Sequence, residues 1–91
     1  GTPIRATAGG IVSYSGGSGI KGNVVAIEHG AGFTTIYAHN SVNIAKVGQE
    51  VRKGDIIAYV GTTGNATGPH VHFEVWKDGK PVNPLKYVGR R

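Results

Sequence analysis

Apolar and polar residues alternate with a period of two along most of this chain, in short blocks set off by glycine. Ile11, Val12 and Tyr14 form a first segment after Gly9-Gly10, and Asn23-Val24-Val25-Ala26-Ile27-Glu28-His29 reads as a strand entered through the loop at residues 16–22. The three-residue turn Gly30-Ala31-Gly32 leads into Phe33-Thr34-Thr35-Ile36-Tyr37-Ala38-His39. β-Branched and aromatic residues on both sides of that turn make this pair the clearest hairpin in the chain. Val51, Ile56–Val60 and residues 70–76 follow, each bounded by glycine, and Lys77-Asp78-Gly79-Lys80 closes the last strand with an Asp-Gly turn. Pro81 and Pro84 mark an edge or exit segment, because proline cannot donate to a strand ladder.

No window carries apolar residues at helical spacing for three turns, and residues 41–46 offer a single turn at most. The expected fold is all-β: an antiparallel β-sandwich or partly open barrel of six or seven short strands. Gly48 and Gly54 flank the short strand at Val51 and read as a tight corner in which glycine takes positive φ.

Ninety-one residues make one domain, with roughly 60–70% of the unfolded surface buried and little margin for losing a strand. Sixteen glycines, where average composition would give about 6, indicate a chain that turns often. The absence of cysteine excludes disulfides, thiolate zinc sites and cysteine nucleophiles, so any site chemistry runs on His, Asp, Glu, Ser, Thr or Tyr. No apolar run approaches the ~20 residues that span a bilayer, and residues 1–8 lack the layout of a signal peptide. A net charge of +5 favours a polyanionic partner. The basic residues are scattered singly apart from Arg52-Lys53 and the terminal Arg90-Arg91, with no stripe interleaved with aromatics, which argues against nucleic acid.

Four histidines carry the chemical information. In Gly68-Pro69-His70-Val71-His72-Phe73-Glu74-Val75-Trp76, alternation places His70, His72, Glu74 and Trp76 on one face and Val71, Phe73 and Val75 on the core face. The two imidazoles then stand about 6.6 Å apart along the strand, near enough to reach one metal ion or a metal and its bound water. His39, ending another strand, could supply a third; the competing reading is a set of strand histidines with no common target. His29, beside the glycine turn, reads as structural. Thr62-Thr63-Gly64-Asn65-Ala66-Thr67-Gly68 lacks the Lys-Ser/Thr and helix of a phosphate loop and reads as a rim of the histidine face. Ser13, Ser15 and Ser18 have no strand-to-helix elbow to hold a nucleophile.

The order of Gly1-Thr2-Pro3-Ile4, Ala8-Gly9-Gly10-Ile11-Val12, the strand at 23–29, Tyr37-Ala38-His39, Val47-Gly48-Gln49-Glu50-Val51, Gly61-Thr62-Thr63-Gly64, residues 68–74 and Val82-Asn83-Pro84 closely resembles the lysostaphin-type (LytM-like) zinc metallopeptidases that cut bacterial peptidoglycan. The match covers nearly the whole chain. This resemblance implies an antiparallel β fold with a groove floored by the sheet and walled by loops. It further implies that His72 is a zinc ligand, that His39 and His70 flank the metal-bound water and the scissile carbonyl, and that the substrate is a stem or cross-bridge peptide of peptidoglycan. An extracytoplasmic setting, periplasm or cell wall, follows from the resemblance alone.

One departure bears on activity. In that family zinc is completed by a His-x-x-x-Asp element just before the segment corresponding to Gly1-Thr2-Pro3, and this chain starts after it. Asp55 and Asp78 fall at turn positions of the family and are no substitutes. The resemblance therefore implies one LytM-like peptidase domain over residues 1–91, N-terminally incomplete. On this reading the chain is a fragment of a zinc-dependent endopeptidase, inactive alone and holding zinc weakly or not at all. The alternative is a non-catalytic LytM-like domain that binds cell wall or activates a partner cell-wall hydrolase; three retained histidines favour the fragment. A biotinyl- or lipoyl-carrier domain, suggested by the layout of residues 48–61, would need a lysine at a hairpin tip, and none stands there.

Overall fold

Residues 2–61 and 72–83 are described by the computed structural model, and they form eight strands: Pro3–Arg5 (β1), Gly10–Gly17 (β2), Asn23–Gly30 (β3), Phe33–Asn43 (β4), Glu50–Val51 (β5), Ile56–Val60 (β6), His72–Lys77 (β7) and Lys80–Val82 (β8). Every pairing is antiparallel. A single 3₁₀ turn, Gly19–Lys21, interrupts the loop between β2 and β3. The β3–β4 hairpin is tighter than the glycine pattern predicts: Gly30 pairs with Phe33, so the loop is the two residues Ala31 and Gly32, both at positive φ (53° and 82°). A two-residue turn of this kind has the twist that matches its flanking strands. Asp78 and Gly79 (φ 53° and 81°) make the same turn between β7 and β8, and β8 carries Pro81 on the edge of the sheet, where a missing donor costs no ladder bond.

The strands run in the order β1-β6-β4-β3-β2-β5, with β7 on β4 and β8 on β7. Short connections curl this single sheet. Residues 6–9 join β1 to β2 and residues 52–55 join β5 to β6, so the two ends of the strand order are drawn together. Backbone bonds seal the seam: Ala6 N–H to Asp55 O (2.9 Å), Gly54 N–H to Ala6 O (2.9 Å), and Val12 N–H to Gln49 O (2.9 Å). Gly48 and Gly54 take φ of 88° and 93° at these corners. The result is the partly open barrel of the two architectures expected, with Ile4, Val12, Val25, Ile27, Tyr37, Val51 and Ile57 buried inside it. Tyr37 and Phe73 pack with ring centroids 5.3 Å apart, a tilted pair worth about 0.5–1.5 kcal/mol beyond its buried area.

β4 is longer than its sequence suggests. Residues 41–43 continue the strand instead of turning, because Val42 and Asn43 pair with Tyr59 and Ala58, and the following Ile44 and Ala45 N–H groups both donate to Ile57 O (2.8 and 3.0 Å). At the end of β6, Gly61 lies buried against this segment, and a Cβ there would fall within 2.5 Å of Ser41 Cα. Gly61→Ala is therefore expected to destabilise the chain by about 1–3 kcal/mol, since backbone cannot yield as a side chain does. Urea denaturation of the variant against the parent measures this, and an unchanged midpoint would contradict it.

Candidate functional site

One edge of β4 is shared by two strands. Residues 33–38 pair with β7, and from Asn40 onward the same edge pairs with β6. On the opposite edge β3 pairs with β4 from Phe33 to Asn40, but Asn23 pairs with Asn40 and Val25 with Tyr37, so two residues of β4 face one of β3. This is a bulge, and it falls on Ala38-His39. His39 sits at the fork with φ 61°, a left-handed conformation that costs a non-glycine residue about 1–2 kcal/mol.

Asparagine side chains donate to carbonyls around the fork. Asn40 Nδ2 donates to Tyr37 O (3.0 Å) and to Asn43 Oδ1 (2.9 Å), while Asn43 Nδ2 donates to Val24 O (3.0 Å). Asn23 Nδ2 donates to Asn40 O (3.1 Å) and Ser41 O (3.2 Å). Asn40 is fully buried, so its amide is confined to these directions.

β7 brings the His72 backbone to the fork. His72 pairs with Ala38, so its backbone stands beside the residue preceding His39 although 33 positions separate the two histidines in the chain (72 − 39). Glu74 and Trp76 pair with Ile36 and Thr34 on the face away from Tyr37 and Val75, as alternation predicts. Glu74 is held there by Trp76 Nε1–H (2.9 Å to Oε1) and by Lys21 Nζ, 3.4 Å from both carboxylate oxygens. Lys21 belongs to the 3₁₀ turn before β3, so this ion pair reaches past β3 and β4 and ties the loop down over the sheet. Both partners keep solvent contact, which limits the pair to roughly 0–1 kcal/mol.

His70 and the rim segment 62–68 lie outside the described residues, as does the side chain of His72. Among the described residues, no three His, Asp or Glu side chains gather where a metal ion could sit. Asp55 and Asp78 act as turn residues: Asp55 Oδ2 accepts from Arg52 N–H (2.9 Å), and Asp78 N–H donates to Gly32 O (2.9 Å). The asparagine cluster and the Lys21–Glu74–Trp76 group were not singled out by sequence pattern. Asn23, Asn40 and Asn43 within or beside strand segments are the signal for the first, since asparagine is poorly suited to a ladder.

His29 lies at the far end of β3, on the core face with Val25 and Ile27. Its Nδ1 meets Gly9 O at 2.7 Å, and because a carbonyl only accepts, that nitrogen carries a proton. Its Nε2 meets Thr35 Oγ1 at 2.7 Å, Thr35 Oγ1 bonds the Tyr37 hydroxyl at 2.9 Å, and the same hydroxyl receives Thr7 N–H at 3.2 Å. The chain of bonds fastens the link between β1 and β2 to the middle of the sheet. Beside it lies an apolar cavity of about 310 Å³, walled by His29, Phe33, Thr35 and Val75.

Comparison with known proteins places these features in a family context. The profile of Peptidase family M23 matches residues 1–84. The chain is 46% identical over 85 residues to a DD-carboxypeptidase/endopeptidase, Mpg, of Neisseria meningitidis, covering 93% of this chain and 20% of that protein. It is 40% identical over 92 residues to a lipoprotein, NlpD, of Yersinia enterocolitica, covering 100% of this chain and 94% of that sequence. Among solved structures, the catalytic domain of lysostaphin from Staphylococcus simulans superposes with a TM-score of 0.91 at 30% identity, covering 99% of this chain and 72% of that one. A zinc-containing peptidase from Vibrio cholerae gives 0.83 at 37% identity, covering 90% and 26%. The chain thus spans about one-fifth of the length of the Neisseria protein.

The His29 network predicts a stability role. His29→Ala and Tyr37→Phe should each lower stability by about 1–3 kcal/mol, by leaving buried partners unpaired. The double variant should lose less than the sum, because the two share one chain of bonds. Guanidinium denaturation of the four proteins tests this; strict additivity would mean that the bonds act independently.

Proposed function

The chain belongs to Peptidase family M23, and from that premise we propose that it is the greater part of a zinc-dependent endopeptidase domain cutting the peptides of bacterial peptidoglycan outside the cytoplasm. One observation carries the reading: the β4 fork sets His39 beside the strand that bears His72. The relatives support the reaction class and the metal, since Mpg is named a DD-carboxypeptidase/endopeptidase, and the Vibrio structure is of a zinc-containing peptidase.

Imidazole is a good zinc donor, and His72 is the residue of this chain that would hold the ion. The remaining ligands are assigned, on the family resemblance, to a His-x-x-x-Asp element preceding Gly1 in a longer form of the protein. Bound zinc would supply Lewis-acid polarisation of the peptide carbonyl and a lowered pKa for coordinated water. The residues of this chain do the rest. His39 and His70 exchange protons with the attacking water and the leaving amine, and whichever is protonated donates to the developing oxyanion. The +5 charge draws the domain toward an anionic wall. A second reading, a non-catalytic domain that binds cell wall or activates a partner hydrolase, is favoured by the likeness to a sequence named only as a lipoprotein and matched over almost its full length.

Activity and metal content separate these readings. The 91-residue chain is expected to bind no stoichiometric zinc at nanomolar affinity and to leave purified peptidoglycan intact. A longer form carrying His-x-x-x-Asp upstream of Gly1 should digest it and stop when a chelator is added. If peptidoglycan survives the longer form too, the non-catalytic reading replaces this one.

Within the longer form, His72→Ala should abolish zinc binding and activity together. His39→Ala and His70→Ala should retain most of the zinc and slow the reaction by roughly 10²–10⁴-fold. Metal analysis beside the rates decides the roles, and a metal-free His70→Ala would mean that the ligand and proton-transfer positions are exchanged.

A further inference from the structure

The fork at His39 combines a backbone conformation that histidine disfavours with a buried amide bonded to the same stretch of chain. Three facts converge there. His39 is left-handed at φ 61°. Asn40, the next residue, is fully buried and donates back to Tyr37 O, bridging the bulge from one side to the other. Asn43 accepts the second proton of that amide and is itself anchored to Val24 O on β3. A left-handed histidine persists only where its surroundings over-determine it, and this bridge closes directly across residues 38 and 39.

We propose that Asn40 is the positioning residue for His39: its amide clamps the bulge and so fixes the backbone from which the imidazole projects, with Asn43 orienting Asn40. The inference deepens the reading of His39 as a proton-transfer group and rests on it. A residue acting this way touches neither peptide nor metal. It sets the direction of the side chain that does, and a displacement of about 1 Å at such a group can cost on the order of 10²-fold in rate.

The clamp is measurable without activity. Glycine accepts positive φ freely and alanine does not, so in the parent chain His39→Gly should fold more favourably than His39→Ala, by roughly fivefold in the equilibrium constant. In an Asn40→Ala background the bulge is released and the ratio should fall to near one. Where Asn40→Ala fails to fold, Asn43→Ala, at a half-buried site, provides the same comparison with a smaller expected fall. A ratio unchanged in both backgrounds overturns the clamp. So does a parent ratio of one, because residue 39 would then not be held left-handed.

Rates in the longer form give the second readout. Asn43→Ala should lower kcat severalfold with KM unchanged and zinc retained, and Asn43→Asp, which keeps the acceptor for Asn40 but loses the amide donor to Val24 O, should recover only part of that loss. Equal kcat in parent and Asn43→Ala, despite a collapsed glycine-to-alanine ratio, would overturn the coupling to catalysis. Full activity in His39→Ala with the ratio intact would instead overturn the role of His39 and leave the clamp standing.

Discussion

The structure depends on one strand serving three others. β4 keeps β3 along one edge and divides the other between β7 and β6. Backbone hydrogen bonding makes that division demanding, because β7 and β6 cannot meet β4 in one continuous ladder, and each carbonyl left at the junction needs a donor. The chain answers with a bulge at Ala38-His39 and three asparagine amides aimed at the carbonyls of residues 24, 37, 40 and 41. Without that junction the sheet would have no place for both the β7–β8 hairpin and the β1–β6 pair that closes the barrel.

Side-chain networks hold the parts that the ladder does not reach. The His29–Thr35–Tyr37–Thr7 chain runs from the rim of β3 to the buried phenol and draws in the link between β1 and β2. Thr35 and Tyr37 are buried, and Tyr37 also packs in a tilted pair with Phe73, the residue after His72. The Lys21–Glu74 pair differs in kind. It is solvent-touched and weak, and it ties a glycine-rich loop to β7 by a contact that thermal motion can break and remake.

This arrangement brings distant parts of the chain together on a small scaffold: His72 pairs with Ala38, the residue before His39, although the two histidines lie far apart in sequence. A bulge turns the chain at the point where two strands part, and the residue on the bulge is re-aimed relative to its neighbours. Peptide-bond hydrolysis needs proton-transfer groups held to a fraction of an ångström. A position on β4 between residues paired to β3, and flanked by β7 and β6, is held more tightly than a loop.

Much of the fold is legible in the residues themselves. Period-two alternation marks β2, β3, β4, β6 and β7, Asp78-Gly79 marks the last turn, and the absence of a sustained 3.6 period argues for almost no helix; these are local consequences of side-chain geometry and backbone sterics. Likewise the alternation of Val75 with Glu74 and Trp76 assigns their faces before any partner is known. What sequence could not determine is which strand stands beside which, because pairing is a contest between distant segments for the same backbone groups. The extension of β4 through Asn43, the closure by β1 and the work of Asn40 all follow from that contest. His39 shows the division most sharply: its place at the end of an apolar-aromatic segment is written in the chain, but its left-handed backbone belongs to the bulge where β3, β6 and β7 meet β4.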